Sequence, residues 1–292
     1  MLTQYHRFSR FLNQTYVAGN ETALFGLLNM PNDLVLVRHG ASEGNLAFAE
    51  EKKGNYQVFT PRFMETHESK WRLTRDGRNQ ARAAGQWIKD NLNIFFGAYI
   101  CSEYVRAIET ASLLDLPHAH WTRQVFLRER NYGRMSGLPY AERLKRFEIQ
   151  MRQAKRDLFY WRPPSGESLA NVSLRIDYIL DNLSEKDYIP SSAIIVSHKN
   201  VMQVFRARIE VIHQAHFVER IMHVPKDKTI FNCSIIHYTR INPETKERAP
   251  VYRWMRIITP WIKELSNPPW EEIKYSYYSN DDLKRLTDRK YF

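Results

Sequence analysis

Leu34-Val35-Leu36-Val37-Arg38-His39-Gly40 is a short apolar run that stops at an arginine, a histidine and a glycine. Its length and β-branched content predict a strand buried on both faces of a parallel sheet. The glycine allows the backbone to turn where a side chain would clash. The spacing therefore places an imidazole and a guanidinium at the carboxyl end of a strand, where open α/β sheets bind ligands. An imidazole beside a fixed cation suits attack on a phosphoryl group. A second run of the same type, Ala193-Ile194-Ile195-Val196-Ser197-His198-Lys199-Asn200, also ends in a histidine. Either histidine alone has the ordinary explanation of a surface or satisfied core residue. Two such strands, side by side in one sheet, would bring His39 and His198 together.

These and four further segments resemble the histidine phosphatase superfamily, the phosphoglycerate-mutase-like proteins. Arg38-His39-Gly40 with Ser42 and Asn45 is similar to the family's opening motif. Leu73-Thr74-Arg75-Asp76-Gly77 leading to Gln80-Ala81 resembles its Leu-Thr-x-x-Gly-x-x-Gln-Ala segment. Ser102 through Arg106-Ala107 to Thr110-Ala111 resembles Ser-x-x-x-Arg-Ala-x-x-Thr-Ala. Glu129-Arg130-Asn131-Tyr132-Gly133 looks like the acid-bearing loop, and Gly166-Glu167-Ser168 and Val196-Ser197-His198 like later motifs. Each is weak alone; six in the right order are specific. The likeness runs from about Pro31 to the strands near Tyr252.

The resemblance implies an α/β fold with a doubly wound, mostly parallel sheet flanked by helices. It implies a metal-independent phosphotransferase that uses no cofactor. His39 is then the nucleophile that forms a phosphohistidine, with a backbone carbonyl holding its other ring proton. Arg38 and Arg106 clamp the phosphoryl oxygens with planar forks that stay charged, and His198 donates a further hydrogen bond. Asn45, Ser42, Lys199 and Asn200 are candidate substrate contacts. Glu129 is the candidate general acid, ahead of Glu43, Glu103 and Glu109. By spacing alone, Arg106 would pair with Glu103 or Glu109 on a helix surface, and Arg128-Glu129-Arg130 would be a charged loop; the resemblance decides both. Three positions depart from the family pattern: Ala41, Lys199, and Met135 through Tyr140, where the mutase branch carries a lysine for the glycerate carboxylate. Arg134 lies near that gap.

The expected function is therefore phosphomonoester hydrolysis on a soluble anionic substrate, such as a sugar, glycerate or nucleotide phosphate, with a phosphoprotein as a further candidate. A phosphoglycerate-type mutase is the alternative, and a catalytically slack phosphate-binding scaffold a third. A net charge of +11 invites nucleic-acid binding, but the cations are scattered rather than grouped, so that is not expected as the main function. Cys101 and Cys233 are the only cysteines and both fall in apolar segments; a reducing, cytoplasmic setting is the default. No segment has the length and apolarity of a bilayer span. The first 20 residues carry Arg7 and Arg10 and no acid. An ordinary N-terminal helix with Leu2, Tyr5, Phe8 and Leu12 near one face, packed on the domain, is preferred there to an organellar transit peptide or an interfacial helix.

No repeat or linker divides the 292 residues, so one catalytic domain is expected, with its core over about 31–260. An insertion over about 46–72 should lie near the site mouth. Helices are expected over 74–91, 104–114, 167–183 and 201–210, and strands over 99–101 and 120–126. Residues 140–159, within a cap region of about 132–165, read as a helical hairpin or cap. Residues 229–240 and 251–257 form an antiparallel addition joined at Asn242-Pro243-Glu244. The aromatic stretch 261–292 is expected to wrap the surface or meet a partner.

Overall fold

The computed structural model describes residues 27–184, 190–275 and 278–287; the expected N-terminal helix lies outside them. Seven strands form one sheet: β1 (Asp33–Arg38), β2 (Ala98–Ser102), β3 (Trp121–Gln124), β4 (Ser192–Ser197), β5 (Ile235–Thr239), β6 (Trp254–Ile258) and β7 (Glu271–Glu272), in the order β3-β2-β4-β1-β5-β6-β7. β3, β2, β4 and β1 are parallel, and β5, β6 and β7 add antiparallel to one side. This is the mostly parallel sheet with an antiparallel addition that the sequence suggested.

The pleat of β1 explains its unbroken apolar run. Leu34 and Leu36 face one core with Ala193 and Ile195, packed under α6 (Leu169–Leu183) and α7 (Lys199–Ile209). Val35 and Val37 face the other core with Ile194 and Val196, under α3 (Arg75–Asn91) and α4 (Val105–Leu114). All eight of these side chains are fully buried. A strand covered on both faces has no polar side, so alternation disappears from its sequence.

Helix starts follow local capping chemistry. Thr74 caps α3 by accepting from the Gly77 amide, and Ser168 caps α6 in a reciprocal box with Asn171. The chain after β1 turns against α3 by backbone contact: a Cβ on Gly77 would lie 2.0 Å from the Ala41 carbonyl oxygen, and one on Gly40 2.3 Å from that of Gly77. Neither obstacle is a movable side chain. Gly77→Ala is therefore expected to destabilise the fold by about 1–3 kcal/mol or more and to loosen the turn after His39. Thermal melting with parallel activity measurement checks this; an unchanged melting temperature would refute it.

Two segments take shapes the sequence did not specify. Residues 46–72 contain the end of α1 (Glu43–Glu51), the short helix α2 (Pro61–Glu65) and a 3-10 turn at Glu68–Lys70. Residues 140–159 hold two helical stretches, together α5 (Tyr140–Arg156), that meet across a kink at Phe147, whose backbone is non-helical. Phe147 is the one buried side chain of α5, so the kink coincides with the point that anchors the segment to the rest of the domain. The C-terminal stretch packs back on the sheet through β7 and through Trp270, whose ring lies 4.8 Å from that of His237. α8 (Asn280–Leu286) follows. Among the described residues no helix is long and apolar enough to cross a membrane.

Candidate active site

The register of β1 on β4 builds the centre of the site. Arg38 pairs with Ser197, and the His39 amide continues the ladder by donating to the Ser197 carbonyl at 2.9 Å. The next residues on the two strands, His39 and His198, therefore emerge side by side. Their ring centroids are 5.1 Å apart with planes inclined at 58°. β2 lies on the other side of β4, and its last residue, Ser102, hydrogen-bonds His198 Nε2 through its hydroxyl at 2.8 Å.

His39 is oriented by its own turn: Nδ1 lies 2.7 Å from the Gly40 carbonyl oxygen. A carbonyl only accepts, so Nδ1 carries the proton and Nε2 keeps its lone pair. Burial, then Arg106 and Arg38, hold the His39 pKa well below the usual imidazole range, against the Gly40 hydrogen bond. The ring is neutral at physiological pH, as a nucleophile must be. His198 is likewise held low, first by burial and then by Arg106, His39 and Arg38.

Arg106 occupies the second position of α4 and is 3% exposed. It does not pair with Glu109, which instead binds Arg72 and the Leu73 amide. Its Nε donates to His39 Nε2 at 3.2 Å and its Nη1 to the Glu68 carbonyl at 2.5 Å. Arg38 donates from Nη1 to the Ile230 carbonyl at 3.0 Å. Burial brings its pKa down to about 10 against the opposing pull of Glu129. Both guanidiniums remain charged at neutral pH.

A cavity of about 240 Å³ opens over this cluster. Six of the sequence candidates line it: Arg38, His39, Ser42, Asn45, Arg106 and Glu129. Ser42 also caps α1 in a reciprocal box with Asn45. The Asn45 amide oxygen is taken by Ser42 and by Asn232 Nδ2, which also donates to the His39 carbonyl at 3.0 Å. That leaves the Asn45 amino group for the cavity. His198 is fully buried against His39. Lys199 opens α7 close to Arg38 and Lys52, where burial lowers its pKa. Asn200 donates to the Tyr132 hydroxyl at 3.4 Å. These three are not among the lining residues.

The loop bearing Glu129 is braced by Glu167. One Glu167 oxygen accepts from Arg128 and Arg175, the other from Arg175 and the Asn131 amide. Arg130 points away from the cavity, donating to the Glu167 and Trp161 carbonyls at 2.8 Å each. The Gly166-Glu167-Ser168 motif thus contributes by fixing where Glu129 stands.

Sequence reasoning missed Phe48, Glu68, Trp71, Tyr132, Ser136 and Arg143, all of which line the cavity. Tyr132 sits inside a quoted motif and could have been named. Glu68 and Trp71 lie in a segment without periodicity, and Arg143 is one of many cations on α5. Arg134 near the missing mutase lysine is exposed, its guanidinium over Phe147; Arg143 reaches the cavity instead, over the Phe48 ring at 5.0 Å. Both cysteines are buried free thiols. No group of three or more potential metal ligands occurs among the described residues.

Known proteins resemble this chain in sequence and in fold. The 2,3-bisphosphoglycerate-dependent phosphoglycerate mutase of Rhizobium etli is 28% identical over 182 residues, 61% of this chain and 79% of the relative. The 6-phosphofructo-2-kinase/fructose-2,6-bisphosphatase of Caenorhabditis elegans is 28% identical over 178 residues, 60% of this chain and 33% of that protein. In fold the chain is similar to the α-ribazole phosphatase of Shigella flexneri (TM-score 0.56, 19% identity, 74% and 97% of the two chains). It is similar also to mycobacterial glucosyl-3-phosphoglycerate phosphatase in complex with VO3 (TM-score 0.54, 20% identity, 71% and 92%). A family model described as the histidine phosphatase superfamily, branch 1, matches residues 34–240, and the chain belongs to this superfamily.

Proposed function

We propose that the protein hydrolyses phosphomonoesters through a phosphohistidine on His39. The observation that carries this reading is the fixed tautomer: Nδ1 bonded to the Gly40 carbonyl leaves the Nε2 lone pair between two guanidiniums. An entering phosphoryl group takes over the Arg106 Nε–H that now rests on Nε2. The lone pair then attacks phosphorus, the P–N bond forms, and the ester P–O bond breaks. Arg38, Arg106 and His198 stabilise the charge on the transferring oxygens. Glu129 gives its proton to the leaving oxygen and recovers one from the water that cleaves phosphohistidine. No step needs a metal, so chelation with EDTA is expected to leave turnover unchanged.

Transfer to a second hydroxyl, as in a mutase, is a second reading. It is favoured by the named mutase relatives and by Arg143, a cation in the wall able to hold a second anionic group of a substrate. The two readings separate by the fate of the phosphoryl group. Enzyme incubated with a panel of phosphate esters should form an acid-labile phosphoenzyme and release inorganic phosphate. Interconversion of phosphoglycerates far faster than phosphate release would select the mutase instead. Glu129→Gln should slow alkyl phosphates on the order of 10²–10⁴-fold and an aryl phosphate much less, because a phenolate leaves without a proton. Equal slowing of both would remove the acid role from Glu129.

A further inference from the structure

Glu68 has no part in the mechanism above, and no motif singles it out. It is 7% exposed, and it lines the cavity with Arg106 and Glu129. Its Oε2 accepts from the Ser136 hydroxyl at 2.8 Å, while its carbonyl holds Arg106 Nη1. The charged and titratable groups facing it are Arg106 of α4, Glu129, the adjacent His67, Tyr104 and Arg143 of α5. Burial raises the Glu68 pKa above the usual carboxyl range and Glu129 adds to this, against Ser136, Arg106 and His67. A phosphate entering the same cavity brings further negative charge. Two ionised carboxylates beside it would repel it, whereas an acid that keeps its proton offers an O–H donor to a phosphoryl oxygen.

We propose that Glu68 is a specificity-determining residue that holds its proton when phosphate is bound and donates it to a ligand oxygen, so that ionisation of Glu68 weakens binding. This rests on the cavity being a phosphoryl site. It gives the site a preference for the ligand that depends on the charge of its own wall. It also couples the 3-10 turn at Glu68–Lys70 to the Ser136 loop over the ligand.

Binding of inorganic phosphate, measured by calorimetry between about pH 5 and pH 9, tests the idea without needing turnover. The ligand's own ionisation and the titration of Lys199 act alike on wild type and Glu68→Gln, so the ratio of their dissociation constants isolates Glu68. That ratio should climb with pH, approaching on the order of tenfold per unit once Glu68 ionises, because the amide cannot acquire charge. A ratio independent of pH overturns the proposal. Ser136→Ala is the second variant: it removes a hydrogen bond to the charged form, so weakening should begin at higher pH than in wild type. An onset that stays in place overturns the proposal equally. Absence of phosphate binding by wild type at every pH would bring down the phosphoryl-site reading itself, and this inference with it.

Discussion

His39→Ala is expected to abolish phosphoenzyme formation and to lower kcat/KM on the order of 10⁴–10⁶-fold, a loss of about 5–8 kcal/mol of transition-state stabilisation. The neighbouring imidazole, His198, is not expected to take over the attack, because it does not line the cavity. It is bonded at Nε2 to Ser102 and fully buried. Trapping of labelled phosphoenzyme is the direct measurement. A stoichiometric label surviving in His39→Ala would end the nucleophile assignment. The variant should also change the acid limb of stability. His39 has a depressed pKa in the folded state, so the unfolded chain binds the proton that the native ring refuses. Native stability is therefore full above the ordinary histidine pKa of about 6.5 and falls as pH drops below it. Removing the ring removes that contribution, and the acid limb becomes shallower.

Arg106→Ala should lower kcat/KM on the order of 10²–10³-fold, about 2.7–4 kcal/mol, with much of the loss in KM. The guanidinium reaches both His39 Nε2 and the Glu68 carbonyl, so one side chain ties the histidine and the cavity wall together. Lysine should rescue only partly, since an ammonium has neither the fork nor the fixed Nε–H. A pH profile separates this role from a structural one. Arg106 is the largest charge effect holding the His39 pKa down. Its removal lets that pKa rise, and the acidic limb of kcat/KM should move to higher pH. If kcat/KM falls but the limb does not move, Arg106 does not act on His39.

These expectations depend on a site assembled from four places in the chain, and the sequence revealed them unevenly. The two histidine strands were legible because strands buried on both faces must be apolar throughout. A polar residue at the end of such a run is then conspicuous. The parallel pairing of β1 and β4 supplies the rest, since equal register brings the residues beyond each strand level with one another. Arg106 shows the opposite case. Helical spacing favours an ion pair with Glu109, and only the docking of α4 beside β2 and β4 turns its side chain inward. Glu109 meanwhile finds Arg72, far away in sequence.

The insertion that supplies much of the cavity's outer wall was placed near the site mouth, but which of its side chains face the cavity was not legible. Trp71 stacks on Phe63 with ring centroids 5.0 Å apart, and Phe48 meets both Phe59 and Trp71. Those contacts join residues whose order along the chain has no period. The missing mutase lysine is a related lesson. Met135 through Tyr140 lack a cation, yet α5 carries Arg143 into the wall while Arg134 turns outward onto Phe147.

The amino-acid order alone determined the buried parallel strands, the helix starts and the placing of His39 and His198 at strand ends, because each is imposed by neighbours within a few residues: an apolar run, a capping hydroxyl, a glycine before a turn. Tertiary structure decided which charges face the cavity and which face water. That choice depends on the distance between segments far apart in the chain, and on how completely their packing removes a carboxyl such as Glu68 from solvent.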